Sequence, residues 1–288
     1  MKLILLNLFS TYLNLLPSKG RLANITELAI LDWLRRRHLS RTTNSEVIHP
    51  CYGVDFNDAN QVEFVSKIMP VYANEFNQFN LQPTNDPTVF YLRNKYYQSV
   101  DAEILHSIIR HYQPRTVIEV GSGNSTRITR HAMTLNGCGS IVSIDPYPRC
   151  DIYDLVDEFI QERVENVPLE RFTSLQENDI LFIDSSHRLW PENDVKFLFE
   201  QVLPILRSGV LIHIHDIFSP MDYPEEFLMH ANTEQDFLQA FLAFNSEFQV
   251  LVSAGYLIVH HQSLLESVLK NSQETLNPGC FWMQRLIK

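Results

Sequence analysis

Short apolar runs alternate with helical patterns over residues 95–217 of the 288-residue chain. Five runs are rich in β-branched residues, which predicts strands at 116–120, 140–144, 163–167, 179–184 and 209–216. Apolar residues recur at helical spacing in the segments before and between these strands, as at Ile104 and Ile108. A further helix is expected around Phe159 and Ile160. Alternating strands and helices predict an α/β fold in which helices cover both faces of a parallel sheet.

The two ends of the chain have different patterns. Residues 1–94 contain helical patterns, including an amphipathic one over Met1–Leu16 and one interrupted by Pro70, and predict a helical N-terminal extension. Residues 95–288 are expected to form the sheet domain, which ends with a helix over 234–244 and then a strand, a helix and a strand at 247–252, 262–269 and 278–287. We expect the first helix to pack on the rest of the protein, with attachment to a membrane surface or a homodimer contact as alternatives.

Charge and cysteine content argue against a nucleic-acid-binding protein, a disulfide scaffold and a zinc protein. The chain has 34 acidic and 23 basic residues and a net charge of −11, so general binding to a nucleic-acid backbone is not expected. Its four cysteines are scattered, which is typical of reduced thiols rather than of a disulfide scaffold or a zinc site. These features indicate a cytoplasmic protein.

A glycine-rich turn follows the predicted strand at 116–120. Gly121 and Gly123 stand one residue apart, and a helix is expected to begin behind them, capped by Asn124 or Ser125. A strand, a glycine turn and a helix N-terminus form a pocket for a nucleotide, because glycine permits close approach and the free amides favour polar groups.

Acidic residues and histidines stand at the ends of the predicted strands. The first strand contains Glu119, the second ends at Asp145, the fourth is followed by the segment 184–187, and the fifth ends in His215 and Asp216. In an open parallel sheet, ligands bind outside the carboxyl ends of the strands, so these residues are the candidates for chemistry. A carboxylate after the second strand can hold the two hydroxyls of a ribose.

Three motifs together resemble the class I S-adenosylmethionine-dependent methyltransferases. They are Glu-Val-Gly-Ser-Gly at 119–123, Ile-Asp-Ser-Ser-His at 183–187 and His-Ile-His-Asp at 213–216. The resemblance covers about residues 95–288 and extends to a branch with small-molecule O-methyltransferases. It implies a Rossmann-like sheet of seven mostly parallel strands with an antiparallel last strand, S-adenosylmethionine as cofactor, and O-methylation of a small-molecule acceptor.

The resemblance also implies roles for individual residues. The general base for the acceptor hydroxyl is expected to be His187, or else His215, with Asp184 beside them. Tyr223 is expected at the mouth of the acceptor site. The residues expected to bind the cofactor are Glu119, Gly121, Ser122, Gly123, Asn124, Ser125, Asp145, Pro146, Asn166, Val167, Asp184 and Ser185.

A metal ion and two other functions are the alternatives left open by the residues. Asp184 and Asp216 are candidate ligands for Mg²⁺, although His215 stands where related enzymes often have a second acid. An NAD(P)-dependent oxidoreductase is the first rival, and Thr126 argues against it because the dinucleotide fingerprint has a third glycine there. A non-catalytic module that binds the cofactor or a partner is the second rival.

Overall fold

A computed structural model describes residues 47–224, 227, 230, 232–269, 276 and 278–286. Seven strands form one sheet in the spatial order β3-β2-β1-β4-β5-β7-β6. The strands are β1 (Thr116–Val120), β2 (Ser140–Ile144), β3 (Glu158–Ile160), β4 (Ile180–Ile183), β5 (Leu211–Ile214), β6 (Phe248–Ser253) and β7 (Phe281–Arg285). Strands β1 to β5 are parallel, and β7 lies antiparallel between β5 and β6. This confirms the predicted Rossmann-like sheet with an antiparallel last strand.

Helices cover both faces of the sheet because neighbouring strand residues point to opposite sides. The first helix, α1 (Asp58–Glu63), contacts β6 through Gln61, whose side-chain oxygen accepts from the Ser253 amide. One face of the sheet packs against α2 (Met69–Phe76), α3 (Asp101–Tyr112), α4 (Asn124–Asn136) and α8 (Ala254–Val268). The other face packs against α5 (Glu170–Thr173), α6 (Asp194–Phe197) and α7 (Glu234–Leu242). A π-helical turn joins α1 to α2 directly before Pro70, as expected of a proline inside a helical pattern.

The third strand lies earlier in the chain than the pattern predicted. Residues Glu158–Ile160 pair with β2, whereas the predicted strand at 163–167 contains a 3₁₀ turn over Val164–Asn166. The expected helix around Phe159 and Ile160 was therefore also wrong. A three-residue edge strand is too short to show the alternation that distinguishes a strand from a helix.

The start of helix α4 also differs from the prediction. The helix begins at Asn124 and Gly123 precedes it, so neither Asn124 nor Ser125 is the cap. The hydroxyl of Thr126 accepts a hydrogen bond from the Gly123 amide at 2.9 Å, and the Ser125 hydroxyl donates to a buried carboxylate instead. The local pattern predicted that the Ser125 hydroxyl caps the helix backbone, whereas in the structure this hydroxyl is bonded to the buried Glu119.

The predicted division at residue 94 remains a prediction. Residues 64–79 share one hydrophobic core with α3, α4 and α8. The amphipathic segment Met1–Leu16 lies outside the described residues. All four cysteines are free thiols, as predicted. None of the helices in the described part of the chain has the length and apolar character that a bilayer crossing requires.

Candidate active site

The glycine turn after β1 is packed against the end of β4. Gly121 has a φ of +82°, and its amide donates to the Ile144 carbonyl at 3.0 Å. A Cβ at Gly121 would lie 1.9 Å from the carbonyl oxygen of Asp184. Only glycine fits here, because both the left-handed backbone and the close approach exclude a side chain.

Glu119 is fully buried beneath the turn and fixes its shape. Its carboxylate accepts from the Ser125 hydroxyl at 2.5 Å and from the Thr126 hydroxyl at 2.7 Å. Burial raises the pKa of Glu119 to about 8, although the two hydroxyls act to lower it. The structure therefore shows Glu119 as a support of the turn, with both oxygens occupied.

We expect Glu119→Gln to change how stability depends on pH. A carboxyl whose pKa is raised on folding binds more protons in the folded state, so the parent loses stability as pH rises from about 4.5 to 8. Glutamine carries no charge, so the variant should lose less, by on the order of 1–3 kcal/mol over this range. Urea denaturation at pH 5 and pH 8 measures the difference. Equal losses in the two proteins would show that Glu119 does not titrate in this range.

A cavity of about 700 Å³, here called the first cavity, opens beside the turn. Asp145 forms part of its lining and is held in place by the turn itself: one carboxylate oxygen accepts from the Ser122 amide and hydroxyl at 3.0 and 2.8 Å. The other oxygen accepts from the Tyr147 amide at 2.8 Å. The carboxylate thus has a fixed orientation at the end of β2, where a ribose would meet it.

A second cavity of about 730 Å³ lies beyond the ends of β4 and β5. Asp184, Ser185 and Ser186 line both cavities, so a ligand in one can meet a ligand in the other. The hydroxyl oxygen of Ser185 is buried and has no hydrogen-bond partner among the described residues. A buried hydroxyl without a hydrogen-bond partner destabilises the folded protein. A bound ligand that forms a hydrogen bond with Ser185 would remove this cost.

Two histidines flank two aspartates in the second cavity. The Nε2 of His187 lies 3.1 Å from Asp184 and 3.3 Å from Asp216. The Nδ1 of His215 lies 3.4 Å from Asp216 and 3.7 Å from Asp184. His187 and Asp216 both have positive φ angles, +58° and +56°. Non-glycine residues in this conformation are concentrated at functional sites.

A buried carboxylate holds the remote nitrogen of each histidine. The Nδ1 of His187 is 2.9 Å from Glu234, and the Nε2 of His215 is 3.3 Å from Asp101. The Asp101 carboxylate also accepts from the amides of Gly279 and Cys280, which ties α3 to the start of β7. Both rings are therefore fixed in orientation by acids outside the cavity.

The carboxylates around the two imidazoles shift their titration. Burial alone would lower the pKa of His187, but hydrogen bonds with Asp184 and Glu234 and the charge of Asp216 hold it well above its ordinary value. The pKa of His215 is also held well above its ordinary value, against burial, by Asp216, Asp184 and Asp101. The carboxylates thus stabilise the protonated, positively charged form of both imidazoles.

The donor atoms of Asp184, His187 and Asp216 fit a divalent cation. One atom from each residue lies within 4.8 Å of the other two. A cation with bonds of about 2.1 Å sets neighbouring ligand atoms about 3.0–3.5 Å apart, close to the contacts of His187 given above. An imidazole beside two carboxylates suits Mn²⁺ or Fe²⁺ better than Mg²⁺, which prefers oxygen ligands. The set therefore fits a cation, but not preferentially the expected Mg²⁺.

The structure brings together part of the predicted cofactor set. The predicted residues that line the first cavity are Gly121, Ser122, Asp145, Pro146, Asp184 and Ser185. The other six, which are not among the described lining residues, are Glu119, Gly123, Asn124, Ser125, Asn166 and Val167. Val167 is buried in the core and Asn166 donates to Glu162, while Val164 and Glu165 line the cavity in their place.

Three residues near the second cavity differ from expectation or were missed. Tyr223 is buried and its hydroxyl accepts from the Gln235 amide at 2.9 Å, so it does not line the mouth. Glu234 and Asp101 were not identified as partners of the histidines. Neither stands in a motif, since 47 residues separate Glu234 from His187 and 114 separate Asp101 from His215.

Comparison with known proteins gives a family match over the middle of the chain. Residues 118–217 match a family model described as a methyltransferase domain. An uncharacterized protein of Archaeoglobus fulgidus is 29% identical over 145 residues, which are 48% of this chain and 63% of that protein. The matched stretch thus spans less than two thirds of that relative.

Two solved structures have a distantly similar fold. The O-methyltransferase TomG of Streptomyces achromogenes, in complex with SAM, is 14% identical with a TM-score of 0.41, over 78% of this chain and 90% of that one. An O-methyltransferase of Bacillus cereus, in complex with SAH, is 13% identical with a TM-score of 0.39, over 80% and 97%.

The matched segment coincides with the central strands of the sheet. The matched residues begin in β1, include the glycine turn and continue just past the end of β5. Beside β5 lies the antiparallel strand β7. The segment from residue 118 to residue 217 is thus similar to the methyltransferase domain that the family model describes.

Proposed function

We propose that the protein transfers the methyl group of S-adenosylmethionine to a hydroxyl of a small molecule. The observation that carries this proposal is the pair of cavities that meet at Asp184, Ser185 and Ser186. One cavity has the glycine turn and a carboxylate held in a fixed orientation at the end of β2, and the other has histidines and aspartates suited to a hydroxyl. Methyl transfer needs a nucleophile aligned with the methyl carbon and sulfur, and two adjoining cavities would bring the two ligands together.

The first cavity is proposed to hold the cofactor. Asp145 would accept hydrogen bonds from the ribose hydroxyls, since its carboxylate already has a fixed orientation. Gly121 lets the cofactor approach the backbone, and Val164 and Glu165 lie where the loop after β3 would meet the adenine. The unpartnered Ser185 hydroxyl at the shared wall is available to either ligand.

The second cavity is proposed to hold the acceptor hydroxyl. Asp184, His187 and Asp216 would hold a divalent cation such as Mn²⁺, and a bound cation lowers the pKa of a hydroxyl. Glu234 would keep His187 in place through its remote nitrogen. With a cation bound beside it, His215 would be neutral, because the positive charge of the cation opposes the carboxylates that otherwise raise the pKa of this histidine. His215 would then accept the hydroxyl proton at Nδ1, since its Nε2 is paired with Asp101.

The acceptor is proposed to be a small molecule rather than a nucleic acid. The net charge of −11 opposes binding to a phosphate backbone, and the second cavity has a size suited to a compact ligand. A non-catalytic module remains the rival, and binding of the cofactor without turnover of any hydroxyl-bearing acceptor would favour it.

Calorimetric titration with S-adenosylhomocysteine tests the proposed cofactor site. We expect the parent to bind and Asp145→Ala to bind roughly 100-fold more weakly, because two charge-assisted hydrogen bonds are lost. Asp151→Ala is the matched control, since Asp151 is exposed on the same loop and does not line the first cavity. Thermal melting verifies that each variant is folded.

Two outcomes of the titration would contradict the proposal. Absence of binding to the parent, with and without Mn²⁺, would reject the methyltransferase function and direct the titration to NAD and NADP. Equal affinity in the parent and Asp145→Ala would keep the cofactor but remove Asp145 as its ribose anchor.

A further inference from the structure

Three basic side chains, here called the basic rim, line the second cavity: Lys95, Arg149 and Arg188. They come from three separate loops, which precede α3, follow β2 and follow β4. All three are exposed. The fold thus gathers positive charge at one place from distant parts of an acidic chain with 34 acidic and 23 basic residues.

The basic rim lacks the acidic partners that five other arginines have. Five arginines outside it contact a carboxylate at 2.5 to 2.7 Å: Arg110, Arg130, Arg163, Arg171 and Arg285. Within the described part of the chain, no side chain of the basic rim forms such an ion pair. The Arg149 guanidinium instead lies over the Tyr96 ring, 5.4 Å from its centroid, which leaves its charge uncompensated.

The acids of the same cavity are already engaged. Its acidic lining residues, within the described chain, are Asp184 and Asp216, and both contact His187 and His215. The positive charges of the basic rim are therefore free to pair with an anionic group of a ligand. Guanidinium groups pair well with carboxylates and phosphates, because their donors match two acceptor oxygens at once.

We propose that the acceptor carries an anionic group, a carboxylate or a phosphate, which the basic rim binds while the hydroxyl meets the histidines and aspartates. This inference rests on the proposed function and specifies its substrate class. Arg149 and Arg188 also line the first cavity, whereas Lys95 lines the second alone. The carboxylate of the cofactor is thus the competing ligand for the two arginines, and the test includes it.

The test compares anionic and neutral ligands on the protein saturated with S-adenosylhomocysteine, with and without Mn²⁺. The probes are inorganic phosphate, 3,4-dihydroxybenzoate and its neutral methyl ester, each titrated by calorimetry. The variant is Lys95→Gln/Arg149→Gln/Arg188→Gln. The control is Lys67→Gln/Arg115→Gln/Arg207→Gln, which removes the same charge at exposed positions that line neither cavity.

We expect at least one anion to bind the parent and the control with a Kd below about 1 mM, and the ester to bind roughly tenfold more weakly. The rim variant should lose roughly tenfold in anion affinity and keep its affinity for the ester. Its affinity for S-adenosylhomocysteine should change by less than about threefold.

Four results would overturn the inference. They are no binding of either anion to the parent, an ester that binds as tightly as the acid, equal losses in the rim variant and the control, and a rim variant that loses affinity for S-adenosylhomocysteine alone. A parent that fails to bind S-adenosylhomocysteine would instead reject the proposed function, so the two failures are distinguishable.

Discussion

Gly121→Ala will destabilise the protein by roughly 2–5 kcal/mol and abolish binding of S-adenosylhomocysteine. The new Cβ would lie 1.9 Å from the Asp184 carbonyl oxygen, so the end of β1 or of β4 has to move. The left-handed φ of +82° adds a cost of about 1–2 kcal/mol for any residue with a side chain. Urea denaturation and calorimetric titration measure the two effects.

Gly137→Ala is the control that separates backbone conformation from steric overlap. Gly137 has a similar φ of +73°, but a Cβ there would have no atom within 4 Å. We expect it to cost only about 1 kcal/mol and to leave cofactor binding intact. If both variants lose the same stability, the close contact with Asp184 is not what requires glycine at position 121.

Asp216→Asn will lower kcat/KM by roughly 100-fold or more while leaving the affinity for S-adenosylhomocysteine unchanged. Asp216 lines the second cavity and not the first, so the loss should be confined to the acceptor side. Asparagine tolerates the positive φ of this position, so the backbone should not change. Removal of one carboxylate leaves the charges of His187 and His215 less compensated and takes away one of the three candidate cation ligands.

Two measurements test this variant. Release of S-adenosylhomocysteine with any acceptor that the parent methylates gives kcat/KM, and calorimetry with Mn²⁺ gives the cation affinity, which we expect to fall roughly tenfold or more. Asp236→Asn is the control, because Asp236 is exposed and lines neither cavity. Unchanged turnover in Asp216→Asn would exclude this aspartate from the chemistry, and unchanged Mn²⁺ affinity would exclude it as a ligand.

Both predictions concern residues at one edge of the sheet, where the roles of neighbouring side chains differ. Glu119 supports the glycine turn, and Asp145 faces the first cavity from a fixed position. Asp184 lies at the wall between the cavities, and Asp216 belongs to the second. Four acids at or near the ends of neighbouring strands thus have four different surroundings, which their strand positions alone do not distinguish.

The sequence by itself determined the sheet, the glycine turn and the acids that end the strands. Buried parallel strands are short continuous apolar runs, and a two-glycine turn after one of them is a local feature, so both can be recognised from neighbouring residues. Strands that are parallel place their carboxyl ends at one edge, which is why Asp145, Asp184 and Asp216 were correctly expected to lie there.

Only the tertiary structure decided which side chains meet. Glu234 and Asp101 reach the histidines because α7 and α3 pack on opposite faces of the sheet, a relation that no spacing in the sequence encodes. The edge strand β3 is too short to be recognised without its pairing to β2. The basic rim likewise joins three loops that are far apart in sequence. Local pattern fixes elements and their ends, whereas the contacts across helix faces and loops depend on packing over long sequence distances.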